Sequence, residues 1–166
     1  MYKKVVVLGG GTGISYLLKG LKNCPVDITA VITVSDNGRS TGKLRKEFHT
    51  PAVGDIRKVI TSLSEIDEPI KKMMSYRFNT SSDLDGHAVG NLILTAMLDI
   101  TGSLKDSIAS LSKLLDVKHT VLPISEFLVD GVSFDIEKSE YQPMNAVSVK
   151  NRDTYVVDGV YNSGTE

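Results

Sequence analysis

Residues Gly9-Gly10-Gly11-Thr12-Gly13 stand between an apolar run, Val5 to Leu8, and a segment whose apolar positions recur at helical spacing. At such a junction free backbone N–H groups and the positive end of a helix dipole converge, and glycines let a phosphate approach the backbone closely. The fit to the dinucleotide fingerprint G-x-G-x-x-G is partial. Gly9 and Gly11 match, but Ile14 occupies the place of the third glycine. The same residues can form a tight turn that binds nothing. Asp36 lies 25 residues beyond Gly11, near the spacing at which an acid grips ribose hydroxyls in dinucleotide folds. It is also suited to a plain turn ahead of Asn37-Gly38.

A second anion cradle is expected at Ser35-Asp36-Asn37-Gly38-Arg39-Ser40-Thr41-Gly42-Lys43-Leu44-Arg45, which gathers small hydroxyls, two glycines and three cations in eleven residues. Asn37, Ser40, Thr41, Lys43 and Arg45 are its candidate ligand contacts. It is not a Walker A loop: no glycine stands at position 37, and Leu44 occupies the place of the magnesium-binding hydroxyl. An exposed loop is the plainer alternative. In Gly54-Asp55-Ile56-Arg57, Asp55 reads as a helix N-cap, or as a carboxylate holding a divalent metal such as Mg2+ beside a phosphate. Asp85-Gly86-His87-Ala88-Val89-Gly90-Asn91 introduces an amphipathic helix. His87 and Asn91, four residues apart, fall on one face at its start. They are expected to share a cleft with Gly11 and Asp36, although a lone histidine is more often structural.

These residues need an α/β frame. Lys3 to Leu8 reads as a strand buried on both faces, Ile14 to Leu21 as a helix and Ile28 to Val34 as a second strand, which together make a βαβ unit. Ser35 to Gly54 reads as a long loop with a short helix near Leu44 to Phe48. Helices follow at Val89–Ile100 and from Ser103, where Asp106 completes a capping pattern, and Thr120–Ile124 suits a third strand. Asp130-Gly131 and Asp158-Gly159 read as hairpin turns. The expected architecture is a three-layer, Rossmann-like, doubly wound and mostly parallel sheet, incomplete in this chain, with a β-rich C-terminal tail. Residues 1–122 form the nucleotide-binding portion and 123–166 a β-rich segment of the same domain.

Composition narrows the function classes. Residues 1–58 carry ten Lys or Arg against four acids, a net +6 that leaves −7 for the remainder. That basic third suits an anionic ligand, or simply a solvated surface. The absence of a basic tail and a pI near 6.3 argue against nucleic acid. A mean hydropathy of −0.02 and the lack of a long apolar run argue against a membrane span. The first apolar run ends in glycines after Leu8, unlike a signal peptide, and the single Cys24 excludes a disulfide scaffold, so a cytoplasmic location is expected.

In this order and spacing, GGGTG, SDNGRSTGKLR, GDIR and GHAVGN resemble the YvcK/CofD family over residues 1 to about 122. Asn37 and Arg39 stand where the family has an acid and a glycine, Val53 where it has proline, Lys58 asparagine and Ala88 serine. Members are longer and carry a further phosphate loop, so this chain is expected to correspond to the N-terminal half of such a protein. The resemblance implies one of two functions. Gluconeogenesis factors of the YvcK branch bind nucleotide sugars of the UDP type, support growth and cell shape on gluconeogenic carbon, and have no established reaction. CofD-like 2-phospho-L-lactate transferases move a phospholactyl group onto a deazaflavin with a divalent metal.

The opening GGGTGIS, the short loops, the lack of Trp and an aromatic content of 6% favour the first branch. The ligand set implied is Gly9, Gly10, Gly11, Thr12, Gly13, Asp36, Asn37, Ser40, Thr41, Lys43, Arg45, His87 and Asn91, with Asp55 as the metal candidate, or Asp36 in the transferase reading. The implied partners are a nucleotide or nucleotide sugar and a second copy in a homodimer. A dinucleotide oxidoreductase is disfavoured by the missing third glycine and by the lack of a Tyr-x-x-x-Lys relay. Hydrolases are disfavoured because no nucleophile–base pair can be inferred.

Overall fold

The apolar run Val5 to Leu8, the glycines after it and the helical spacing from Ile14 put the first strand and helix close to where the sequence predicts them. The computed structural model describes residues 2–36, 38–126, 147–151 and 154–158. Strand β1 (Lys3–Gly9) leads into helix α1 (Gly11–Leu21), and β2 (Val26–Ile32) returns parallel to β1, with Val5 beside Ile28 and Gly9 beside Ile32. Helices α2 (Arg39–Phe48), α3 (Gly54–Leu63), α4 (Glu68–Ser75), α5 (Val89–Thr101) and α6 (Leu104–Leu114) follow. Strand β3 (Thr120–Pro123) then joins β2 in parallel, giving the order β1-β2-β3. Farther on, β4 (Val147–Asn151) pairs antiparallel with β5 (Thr154–Asp158). Asp130-Gly131 and Gly159 lie outside the described residues, and Asp158 is itself a strand residue.

The sheet buries one face. Ile28, Ala30 and Ile32 of β2 and Val121 of β3 pack against Ile14 and Leu18 of α1, Ile56 and Ile60 of α3, and Ile108 and Leu111 of α6. Each fully buried aliphatic side chain there contributes about 1.5–3 kcal/mol. The opposite face carries Val6, Leu8, Val31 and Leu122 by register. On it Val6 is 70% and Leu8 63% exposed. The expectation of a first strand buried on both faces is therefore corrected. Among the described residues β1 lies at the edge of the sheet, and their helices cover only the face of Val7 and Ile28. Among those residues the fold is an α/β arrangement of two layers, without the second helix layer of a three-layer, doubly wound domain.

Two local corrections bear on the site. Helix α2 begins at Arg39, five residues before the expected Leu44, because Ser40 is drawn into a hydrogen bond with Asn91 far along the chain and Thr41 into a local one with Asp36, which offset their modest helix propensity. Asp55 does not cap its own helix: α3 starts at Gly54 with Val53 as N-cap, and the Asp55 carboxylate reaches α1 instead. The capping pattern of α6 is present, with Ser103 Oγ accepting from the Asp106 N–H at 3.2 Å. No helix among the described residues is long and apolar enough to cross a membrane.

Candidate functional site

The glycine turn connects the carboxyl end of β1 to α1. Gly10 is the extended N-cap residue, and Gly11 has φ +71°, a left-handed conformation that favours glycine. A Cβ on Gly10 would lie 2.0 Å from Thr33 Oγ1 and 3.0 Å from Asp55 Oδ2, whereas one on Gly11 or Gly13 would meet nothing within 4 Å. Gly10 is thus glycine because the protein packs against it. Gly11 and Gly13 border open space. The Gly11 N–H donates to Asp55 Oδ2 at 2.5 Å, and Lys58 Nζ donates to Asp55 Oδ1 at 2.8 Å. A carboxylate at the first turn of α1 is what the unpaired N–H groups and the dipole favour, the same preference that makes such a turn a phosphate site.

Asp36 lies beyond the end of β2. Its Oδ1 accepts from the Gly38 N–H at 2.8 Å and its Oδ2 from the Thr41 hydroxyl at 3.2 Å, so it forms the turn that starts α2. A Cβ on Gly54 would sit 2.5 Å from both Asp36 Oδ2 and Thr41 Oγ1, so α3 begins directly against this turn. Thr41 is buried, as are Ser40 and Arg45, while Lys43, Thr12 and Gly13 are exposed. Asn37 lies outside the described residues.

His87 is held by backbone rungs on both sides. The Phe78 N–H donates to the His87 carbonyl at 3.1 Å, and the Val89 N–H donates to the Tyr76 carbonyl at 3.0 Å. The side chain of His87 meets Ser40, whose Oγ is 3.2 Å from Nδ1. Asn91 Nδ2 donates to the same Oγ at 3.1 Å, and Asn91 Oδ1 accepts from Arg57 Nε at 3.0 Å. Arg57 Nη1 donates to the Met74 carbonyl at 3.4 Å and to Ser75 Oγ at 3.2 Å. Ser40, Arg57, His87 and Asn91 are all buried. Burial lowers the Arg57 pKa from its ordinary value and Arg77 adds to that, while Asp55 and Asp36 pull the other way.

The sequence reading missed Arg57 as a site residue, although it ends the GDIR motif. An arginine among the apolar Ile56, Val59 and Ile60 of an expected helix entry was the available signal. Through α3 the two helix entrances join. Asp55 touches Gly11, and Arg57, two residues on, touches Asn91 and through it Ser40 and His87. Gly11, Asp36, Ser40, Thr41, Asp55, His87 and Asn91 therefore gather at the end of the sheet where β1 and β2 finish, the edge at which open α/β sheets bind ligands.

A divalent metal is a different matter. No group of three or more His, Cys, Asp or Glu able to hold one occurs among the described residues. Asp55 already pairs with the Lys58 ammonium. These residues do not assemble a metal cage. A cation at Asp55 would have to displace Lys58 and draw its remaining ligands from phosphate oxygens and water.

The profile of the family described as 2-phospho-L-lactate transferase CofD matches residues 5–152. The gluconeogenesis factor of Bacillus subtilis (strain 168) is 49% identical over 120 residues, 72% of this chain and 38% of that protein. The putative gluconeogenesis factor of Thermotoga maritima is 50% identical over 124 residues, 74% of this chain and 39% of the relative. A crystal structure of a UPF0052-family protein from Bacillus halodurans superposes with a TM-score of 0.75 at 46% identity, covering 77% of this chain and 41% of that one. The chain thus spans about two fifths of the length of the relatives it matches.

Proposed function

Since this chain belongs to the CofD-related family that includes the gluconeogenesis factors, we propose that it binds a nucleotide sugar of the UDP type at the carboxyl end of its sheet. It does so as the ligand-binding part of a factor supporting growth and cell shape on gluconeogenic carbon. The observation that carries this reading is the convergence of the glycine turn, Asp36 and the Ser40–His87–Asn91 group on α3. In this reading the diphosphate lies over Gly11 and Gly13, where the backbone borders open space, and displaces the Asp55 carboxylate from the Gly11 N–H. Asp36 and Asn91 stand near the sugar and base. The role is that of a cytoplasmic regulator rather than a catalyst, and the second copy of a homodimer is part of the proposal.

A thermal-shift screen of UDP-sugars, UDP, GDP and NAD, each with and without Mg2+, tests it. A UDP-sugar at 100 times its dissociation constant is expected to stabilise the fold by about 2.7 kcal/mol. Stabilisation by NAD alone, or by nothing, overturns the reading. The family profile's own description supports a second reading, a phospholactyl transferase. Stabilisation that requires Mg2+ together with a deazaflavin acceptor would favour it.

A further inference from the structure

The buried group of Arg57, Asn91, Ser40 and His87 has only one consistent arrangement of protons. An arginine Nε can only donate, so the Asn91 atom 3.0 Å from it must be the carbonyl oxygen. That fixes the amide, and the Asn91 NH2 must face Ser40 Oγ at 3.1 Å as a donor. A backbone N–H can also only donate, and that of Ala88 points at the same Oγ at 3.4 Å. Ser40 Oγ has two lone pairs and one hydrogen. With both lone pairs engaged, its hydrogen goes to the remaining neighbour, His87 Nδ1 at 3.2 Å. Nδ1 is therefore the acceptor, and the ring proton of the neutral imidazole sits on Nε2. This atom makes no hydrogen bond among the described residues and is not sealed among their buried polar atoms.

We infer that Arg57 is a positioning residue which, through Asn91 and Ser40, locks His87 in the Nε2–H tautomer and so presents a directed N–H donor to an oxygen of the bound ligand. The ligand half of this rests on the nucleotide-binding reading above; the tautomer does not. The chemical logic is selective. A fixed imidazole N–H recognises an acceptor oxygen, such as a phosphate or sugar oxygen, and leaves a ligand's own N–H or ammonium unmatched. Because every step of the relay is anchored by a group that cannot reverse its role, the donor's identity does not depend on the ligand. It is built before binding, which removes a reorganisation cost from the encounter.

Long-range 15N–1H correlation spectra of the histidine side chains, recorded near neutral pH on the ligand-free chain, read the tautomer directly. The chain has three histidines, and His87→Gln assigns the resonance. Wild type is expected to show His87 with Nδ1 unprotonated and Nε2 protonated. An Nδ1–H tautomer overturns the inference. Ser40→Ala removes the hydroxyl proton and is expected to produce a tautomer mixture, which Ser40→Thr does not; an unchanged spectrum for Ser40→Ala also overturns it. Should Ser40→Ala fail to fold, the wild-type spectrum alone decides the tautomer. Titrating UDP is then expected to shift Nε2 and its proton. Saturable UDP binding, seen by calorimetry, that leaves the Nε2 resonance unmoved overturns the ligand half while nucleotide binding stands. No binding by any nucleotide refutes the functional reading and leaves the tautomer to be judged by the ligand-free spectrum.

Discussion

The entrances of α1 and α5 lie at the same end of the molecule, tied together through α3, and they are built on opposite plans. At α1 the donors are backbone N–H groups, Gly11 and Gly13 border open space, and a single carboxylate answers the N–H of Gly11. At α5 the polar groups are side chains, buried and mutually hydrogen-bonded, with Asn91 only 1% exposed. An anion can be admitted at α1 by moving Asp55. Nothing can be admitted between Arg57 and His87 without breaking several buried hydrogen bonds. In the proposed reading the difference separates adaptability from fixed recognition: the first resides on glycine backbone, the second on a closed side-chain relay that would offer a ligand one atom.

Substitutions that open the closed region should have the largest effect. Arg57→Ala removes the donor to Asn91 Oδ1 and to the Met74 carbonyl and leaves a void beside α4. Lost packing and unpaired buried acceptors together are expected to cost about 3 kcal/mol in urea or guanidinium unfolding. A loss under about 1 kcal/mol would mean that the relay is not a structural unit. Arg57→Lys keeps the charge and part of the packing but not the directed Nε, so it should recover only part of the loss.

Next in size is Gly90→Ala. The new methyl would lie 2.6 Å from both Arg57 Cδ and the Met74 carbonyl oxygen, and 2.8 Å from Met74 Cε. Because the carbonyl belongs to the backbone of α4, it cannot swing aside, and α4 and α5 must separate. Overpacking of this kind costs about 2 kcal/mol. Unchanged stability would show that the two helices are not held together at this point.

The open entrance was the more legible of the two from sequence, and for a physical reason. Strand, glycine turn and helix follow one another along the chain, so local spacing reports them. Asp36 likewise makes its hydrogen bonds within five residues, to Gly38 and Thr41. The closed region is assembled from afar: Ser40 meets Asn91 across 51 residues and Arg57 meets Asn91 across 34. His87 and Asn91 could be placed on one helix face, but no local pattern says that an arginine will be buried to orient them. The same limit explains α2, where the tertiary hydrogen bond between Ser40 and Asn91, beside the local one from Thr41 to Asp36, extends a helix that propensity alone would begin later. It also explains β1. A run of four apolar residues, Val5 to Leu8, looks alike whether one face of its sheet is covered or two, and the described helices cover one.

At the open entrance, Gly11→Ala should cost about 1 kcal/mol of stability, since φ +71° is strained for any side chain while the space around it is free. Nucleotide affinity should fall as well, because the methyl occupies the approach to the backbone. Gly11→Asn, which tolerates the left-handed conformation better, should regain much of the stability but not the affinity. If both variants bind a UDP-sugar as wild type does in calorimetry, the turn is not the phosphate cradle.

The smallest effect, and the sharpest separation of the two plans, is expected from Gly13→Ala. Gly13 lies within α1, its φ is not in the left-handed region, and a Cβ there would touch nothing within 4 Å. Alanine should therefore favour the helix and raise stability by about 0.5 kcal/mol in thermal unfolding, the reverse of the Gly90 result for the same added methyl. Propensity alone predicts that gain, so a stability loss would mean that the space beside Gly13 is occupied in solution. Binding gives the second reading of the same variant. If a diphosphate lies along the first turn of α1, the methyl stands in its path, and affinity should fall severalfold even though the fold is more stable. If affinity is kept, the anion contacts only the Gly11 end of the turn, and recognition shifts toward the fixed donor at His87.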